Sequence, residues 1–150
     1  MTANPETTAD MTTPDISHAP VHVRWVGDLQ FEAARPGQPP IRIDGDARRS
    51  PGPFDTLLAA IVTCASVDVV TILAKQRTPP QSLEVRIEAT RVASAPRRLT
   101  SAVLHFAIAA KGAAKPQVER AIELSIAKYC SVRSSLAGDI PVTWTIELES

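Results

Sequence analysis

The feature that most constrains the fold is an apolar run over residues 56–74, which contains a single charged side chain, Asp68. Pro53 precedes the run and suits the first turn of a helix, where its missing N–H needs no partner. Basic side chains at residues 75–77 and the pair Pro79-Pro80 favour a helix end. The run therefore predicts a long helix, and a helix that is apolar all round is either a membrane span or the buried centre of a fold.

A membrane anchor built on residues 56–74 is the weaker of these two interpretations. The run has the length of a span of roughly 20 residues, but Asp68 would then lie inside the bilayer, where a charge is costly. We therefore expect a helix buried between sheets or subunits, and no membrane partner.

Segments on both sides of this helix have the patterns of strands and of a second helix. Alternating apolar residues predict antiparallel strands, and spacing of three and four predicts an amphipathic helix that opens at Lys115-Pro116 and ends near Gly138. The apolar stripe of that helix is Val118, Ile122, Ser125, Tyr129, Val132 and Leu136. The predicted strands cover residues 21–33 with a turn at Gly27-Asp28, and residues 41–44, 82–93, 99–110 and 141–149. The order ββ(β)-α-ββ-α-β without a βαβ repeat predicts the α+β class.

Charge and composition limit the functions that the chain can have. The 150 residues carry 16 basic and 16 acidic side chains, and this balance argues against a nucleic-acid partner. Residues 1–20 are polar and contain acidic but no basic side chains, so they predict a disordered tail, followed by one domain over residues 21–150. The start lacks the basic and apolar segments of a secretory signal, so we expect a cytoplasmic protein.

Two cysteines, Cys64 and Cys130, are the candidates for chemistry. Each lies on an apolar helix face, so the two sulfur atoms could meet in the core. Cysteine also serves as a small buried hydrophobe, which is the alternative interpretation. In a reducing compartment, any cysteine chemistry would be transient or catalytic. Two cysteines at this spacing give no zinc site, and the six glycines form no phosphate-binding loop.

Several segments together resemble one protein family. Residues 52–70, with Cys64 and the following Asp68-Val69-Val70, are similar to the cysteine-bearing helix of the OsmC/Ohr family, and residues 72–77 and 91–96 extend the similarity. Residues 121–132, with Tyr129-Cys130-Ser131-Val132, are close to the second cysteine motif of that family. The resemblance runs from about residue 23 to residue 148 and includes both cysteines in their expected contexts.

This resemblance implies an α+β fold in which antiparallel sheets wrap around long central helices in an intertwined homodimer. It further implies a thiol peroxidase of the oxidative stress response that reduces organic hydroperoxides without a cofactor or metal. By position, Cys64 would attack the peroxide and Cys130 would resolve the sulfenic acid as a disulfide, which an external dithiol or lipoyl-type reductant would reduce.

The resemblance also implies an activating arginine from the amino-terminal strands, held by a carboxylate at the start of the helix. Arg35 is the first candidate for the arginine. Asp55 takes the position of the carboxylate, one methylene shorter than the usual glutamate, although an acidic first turn also suits the helix dipole. Four further arginines remain open as alternatives to Arg35: Arg24, Arg42, Arg48 and Arg49.

Asp68 follows Cys64 by four residues and so shares its helix face. We interpret it as a buried pair with Arg77, Arg133 or a lysine of a partner chain. Two other functions remain open. A Cys-His hydrolase would need His105 beside Cys64. A non-enzymatic dimer would bind a small hydrophobic ligand or sense oxidants.

Overall fold

The computed structural model describes residues 14–150. They divide into two compact units, the first ending at Ser50 and the second running over Pro51–Ser150. Residues 1–13 of the predicted tail at residues 1–20 lie outside the described residues. From residue 14 to residue 20 the chain is exposed and has no regular secondary structure.

The first unit is a three-stranded antiparallel sheet. Strands β1 (His22–Trp25), β2 (Gln30–Ala34) and β3 (Ile41–Asp44) lie in that order. The predicted turn between the first two strands is present, and both Gly27 and Asp28 have positive φ angles there, at 109° and 47°. Glycine adopts such angles without a steric cost, and aspartate tolerates them better than most residues.

A buried carboxylate organises the end of this unit. Asp44 is fully buried and accepts the backbone N–H groups of Arg49 at 2.8 Å and Asp46 at 3.2 Å. The N–H of Arg49, the side chain of Gln30 and then Asp46 hold the pKa of Asp44 well below its usual range, because each stabilises the charged form against the cost of burial. The loop after β3 is thus fixed by its own backbone donors.

The second unit contains the long helix α1 (Pro53–Lys75), strands β4 (Ser82–Arg91) and β5 (Leu99–Ala109), and helix α2 (Lys115–Leu124). A π-helix (Ser125–Tyr129), the short helix α3 (Ser131–Ser134) and strand β6 (Val142–Glu149) follow. The predicted α+β class is confirmed by the two sheets and the helices, and the order of elements agrees with the sequence pattern.

Strand β6 pairs with β5 in parallel, which corrects the expectation of wholly antiparallel sheets. The sheet order is β4-β5-β6, and only β4 and β5 form the expected antiparallel hairpin. The reason lies in the connection. Parallel neighbours need a crossover of a dozen or more residues, and the helical segment between β5 and β6 provides it.

The core of the second unit lies between α1, α2 and the inner face of the sheet. Helix α1 contributes a stripe of buried side chains at intervals of four residues: Ile61, Ala65, Val69 and Leu73. Alternate side chains of β5 and two of α2 complete the core: Leu104, Phe106, Ile108, Val118 and Ile122. Burial of these apolar surfaces is the main contribution to the stability of the unit.

Much of the apolar surface of α1 remains uncovered within this single chain. Val67 is 63% exposed and Val70 40% exposed, on the side away from the core. Among the helices in residues 14–150, α1 is the one that is long and apolar enough to cross a membrane, with a mean hydropathy of 2.3 in its most apolar window. A core helix of a soluble protein meets the same criteria, so length and composition do not assign α1 to a bilayer.

The second predicted helix is not continuous, which corrects the expectation that it runs from Lys115 to Gly138. It widens into the π-helix and then breaks at Cys130, whose backbone is extended with φ −72° and ψ 102°. A π turn contains one residue more than an α turn, so the residues after it are shifted by one position around the helix. Tyr129 is therefore 49% exposed, whereas Cys130 is 1% exposed. The predicted place of Tyr129 in the apolar stripe is therefore wrong.

Candidate functional site

The two cysteines lie side by side although they are 66 positions apart in the chain. Cys64 is in the middle of α1 and is half-buried, while Cys130 is buried in the break between the π-helix and α3. The Cys64 side chain lies near enough to the Cys130 thiol to raise its pKa. Both thiols are free.

The surroundings of Cys130 favour a protonated thiol. Burial is the largest cause and raises the pKa of Cys130, because the buried charged form loses its hydration. The N–H of Arg133 opposes this by donating to the Cys130 sulfur at 3.3 Å. The proximity of Cys64 raises the pKa further. The two sulfur atoms thus differ in burial, and the more accessible one is Cys64.

Ser125 connects the two cysteine-bearing segments. It is fully buried, and its hydroxyl donates to the Ala65 carbonyl oxygen at 3.0 Å and to Asp68 Oδ2 at 2.9 Å. Its own carbonyl accepts the N–H of Cys130 at 2.8 Å. In the sequence, Ser125 belongs to the apolar stripe of the second predicted helix and has no predicted partner. A serine among apolar residues was the one signal that it has a buried polar partner.

The partner of Asp68 is therefore Ser125, and the expectation of an arginine partner is wrong. Within residues 14–150, no basic side chain forms a salt bridge with Asp68. The guanidinium of Arg133 donates to the Ile140 carbonyl at 2.7 Å, and Arg77 lies in the turn after α1 with a φ angle of 61°. The Ser125 hydroxyl of the π-helix thus takes the place expected for an arginine of this chain, and a contact with a lysine of a partner chain stays a prediction.

Asp55 acts as a cap at the start of α1. Its Oδ2 accepts the N–H of Gly52 at 2.8 Å, and the Thr56 hydroxyl donates to the Gly52 carbonyl at 2.8 Å. A negative charge in the first turn also complements the helix dipole. Asp55 lies at one end of a shallow cavity of about 360 Å³ between α1 and β4. The apolar part of its lining is Leu58, Ala59, Val62, Val85 and Ile87.

Arg35 lies in the first unit, directly after β2, and is exposed. Its guanidinium lies 3.1 Å from the Nε2 of His18. The other four candidate arginines each pair with a carboxylate: Arg24 and Arg42 with Glu32, Arg48 with Asp46, and Arg49 with Asp28. Among these five, Arg35 alone has no carboxylate partner within residues 14–150.

His105 lies on the outer face of the second sheet and not in the core that holds Cys130. Its Nε2 is 3.1 Å from Glu88 and its Nδ1 is 2.7 Å from the Thr145 hydroxyl. This histidine and then Arg86 lower the pKa of Glu88. The neighbours of His105 on β5, Leu104 and Phe106, point to the opposite face. The arrangement does not support a Cys-His hydrolase. Within residues 14–150, no three His, Cys, Asp or Glu side chains gather as a metal site.

Comparisons with known proteins agree with this architecture. The family of OsmC-like proteins matches residues 44–145. Protein YhfA of Escherichia coli K12 is 34% identical over 127 residues, which are 84% of this chain and 95% of the relative.

Solved structures show the same fold at lower identity. The OsmC-like protein of Mycoplasma pneumoniae superposes with a TM-score of 0.75 at 15% identity, over 89% of this chain and 99% of that one. An organic hydroperoxide resistance protein OsmC of Legionella pneumophila superposes with a TM-score of 0.63 at 11% identity, over 89% and 99%. The family match covers more than half of the chain, and YhfA is 34% identical over most of it. The chain therefore belongs to the family of OsmC-like proteins.

Proposed function

We propose that the protein is a thiol peroxidase that reduces organic hydroperoxides through Cys64 and Cys130. The observation that carries the proposal is the pair of neighbouring free thiols, of which Cys64 is half-buried in α1 and Cys130 is buried at the start of α3, where the nearby Cys64 raises its pKa. Membership in a family that includes proteins named for organic hydroperoxide resistance supports this choice of substrate.

The reaction uses the two thiols in sequence. The Cys64 thiolate attacks the outer oxygen of the hydroperoxide, the O–O bond breaks, and the leaving alkoxide takes a proton to become the alcohol. Cys64 is left as a sulfenic acid. The Cys130 thiolate then attacks the Cys64 sulfur, an S–S bond forms, and hydroxide leaves and takes a proton to become water. An external dithiol reduces the disulfide and restores both thiols.

Cys64 needs a nearby positive charge to form its thiolate in apolar surroundings. The family resemblance makes Arg35 the first candidate for this role, and among the five candidate arginines it alone has no carboxylate partner within residues 14–150. Asp55 caps the start of α1. In this proposal its carboxylate also binds and orients the activating arginine.

We further propose that the working form is a homodimer in the cytoplasm. The occupant of the uncovered face of α1 is a second copy of this chain, because Val67 and Val70 expose apolar surface beside the side chains of Thr63, Ser66 and Thr71. Sedimentation of the purified protein would give the mass of two chains if this is right.

One experiment tests the peroxidase proposal directly. The reduced protein is treated with one equivalent of cumene hydroperoxide, quenched with an alkylating agent, and analysed by intact and peptide mass spectrometry. We expect a Cys64–Cys130 disulfide, release of cumyl alcohol, and repeated turnover when a lipoyl dithiol is supplied. Unchanged thiols after exposure to cumene and fatty-acid hydroperoxides would contradict the proposal.

The second candidate function is a non-enzymatic dimer that binds a small hydrophobic ligand or senses oxidants. The cavity between α1 and β4 favours it, since five of its lining side chains are aliphatic and lie beside the Asp55 carboxylate. A ligand that co-purifies with the protein, together with no turnover of any hydroperoxide, would favour this function over the first.

A further inference from the structure

We propose that Ser125 is the positioning residue that holds the Cys64 and Cys130 sulfur atoms at bonding reach, with Asp68 as its acceptor. This inference rests on the proposed function, because it concerns the step in which the disulfide forms. It assigns a task to a buried hydroxyl that the two-cysteine chemistry itself does not use.

The hydrogen bonds of Ser125 reach both reactive segments. Its hydroxyl donates to the carbonyl of Ala65, which is the residue after Cys64, and to the Asp68 carboxylate one turn later. One hydroxyl proton serves both acceptors as a three-centre bond. The main-chain carbonyl of Ser125 accepts the N–H of Cys130. A single residue thus ties the backbone beside one thiol to the backbone that carries the other.

The π-helix gives this connection its geometry. The bond from the Cys130 N–H to the Ser125 carbonyl spans five residues, which is the spacing of a π turn and not of an α turn. With an α turn in its place, the exposed Tyr129 rather than Cys130 would occupy this level of the helix. The hydroxyl of Ser125 anchors the start of the wide turn against α1, and the turn then delivers Cys130 to Cys64.

Burial makes this connection effective. Ser125 is fully buried, so water does not replace its hydroxyl when it is removed, and the Ala65 carbonyl would be left without this donor. Helix α1 and the π-helix would then move apart by a fraction of an ångström. Because disulfide geometry is narrow, such a change lowers the tendency of the two thiols to pair.

The test compares variants in a glutathione redox buffer, in which glutathione disulfide oxidises the two thiols and leaves two molecules of glutathione. Quenched samples give the equilibrium constant by intact mass. We expect Ser125→Ala to lower the constant about tenfold, equivalent to about 30 mV for a two-electron couple. Asp68→Ala should lower it about threefold. Asp68→Asn keeps an oxygen acceptor and should stay within about twofold of the unmodified protein.

Ser131→Ala is the matched control, since it removes a hydroxyl next to Cys130 that is exposed and not bonded to α1. We expect it to leave the constant unchanged. A folded Ser125→Ala protein with an unchanged constant would overturn the inference. If Ser125→Ala does not fold, the equilibrium constant of Asp68→Ala is compared with that of Asp68→Asn. Equal constants for these two variants would overturn the inference.

A second measurement separates this inference from the proposed function. After one equivalent of cumene hydroperoxide, the Cys64 sulfenic acid is trapped with dimedone at increasing times. We expect Ser125→Ala to lengthen its lifetime about tenfold and to increase the sulfinic acid at Cys64. If the unmodified protein does not react with hydroperoxides, the proposed function fails. The glutathione equilibrium still decides the role of Ser125, because it needs no peroxide.

Discussion

The backbone N–H of Arg133 donates a hydrogen bond to the sulfur of Cys130 at 3.3 Å. This contact stabilises the thiolate, whereas burial and the nearby Cys64 act in the opposite direction and win, so the pKa of Cys130 is raised. The balance assigns different tasks to the two thiols. A buried, protonated Cys130 suits the resolving role, and the more accessible Cys64 suits the first attack on a peroxide.

The two cysteines should differ when each is replaced. Cys64→Ser should abolish consumption of cumene hydroperoxide, since the attacking sulfur is gone. Cys130→Ser should allow one oxidation per chain and then over-oxidation of Cys64 to the sulfinic acid, because no second thiol protects the sulfenic acid. Peroxide consumption and peptide mass spectrometry measure both results. Steady turnover by Cys130→Ser without any added thiol would contradict the resolving role.

Formation of the disulfide should accelerate as the pH rises. Because the pKa of Cys130 is raised, its thiolate fraction near neutral pH is small and grows about tenfold per pH unit below that pKa. We expect the rate at which the Cys64 sulfenic acid disappears to follow this increase, measured by quenched flow from pH 6 to pH 9. Alkylation of Cys130 in the Cys64→Ser protein is the control, and it should also be slow at neutral pH. A rate independent of pH would show that deprotonation of Cys130 does not limit the step.

Removal of the largest core side chain should destabilise the second unit. Phe106 is 1% exposed and packs among the buried residues of β5, α1 and α2. Phe106→Ala should lower the free energy of unfolding by about 3–5 kcal/mol, because it removes buried apolar surface and leaves a cavity. Urea denaturation measures the loss. Val103→Ala, on the outer face of the same strand, is the control and should cost about 1 kcal/mol or less.

A charge on the uncovered face of α1 should dissociate the proposed dimer. Val67 is 63% exposed in the single chain, so Val67→Glu does not disturb the core of the unit but would bury a charge in a subunit interface. We expect a shift from two chains to one by sedimentation velocity. Thr143→Glu, on the outer sheet face, should leave the mass unchanged. A dimer of unchanged affinity in Val67→Glu would place the interface elsewhere.

Acid should weaken the first unit through Glu32. Hydrogen bonds from Arg24 and then Arg42 lower the pKa of this glutamate below its ordinary value of 4.5. The stabilisation is therefore present above pH 4.5 and is lost as the pH falls through the lowered pKa of the folded state. Glu32→Gln should flatten the dependence of the melting temperature on pH below this value. Because the pair is exposed, added salt should reduce the effect in the unmodified protein.

Local patterns were sufficient for most of the elements. The apolar run with Pro53 at its start predicted α1, and alternation predicted β4 and β5 with Leu104 and Phe106 facing inward. These predictions succeeded because the buried face of a helix or strand sets the spacing of its apolar residues. That spacing can be read from the residues of the segment alone.

The break at Cys130 and the parallel pairing of β6 could not be predicted in the same way. A π turn changes the spacing by one residue, and apolar spacing of three and four fits both an α-helix and this interrupted one. The direction of β6 depends on where the helical crossover returns the chain, which no residue of β6 encodes.

By itself, the sequence determined the α+β class, the long apolar helix and the family, because each depends on a local pattern or on motifs whose own residues are adjacent in the chain. Only the tertiary structure decided that Asp68 binds Ser125 rather than an arginine, and that Ser125 joins the segments of Cys64 and Cys130. The physical reason is that the Ser125 hydroxyl bonds to Ala65 and Asp68, which lie 60 and 57 positions away in the chain. Their partners are selected by the packing of α1 against the π-helix, which depends on all the chain between them.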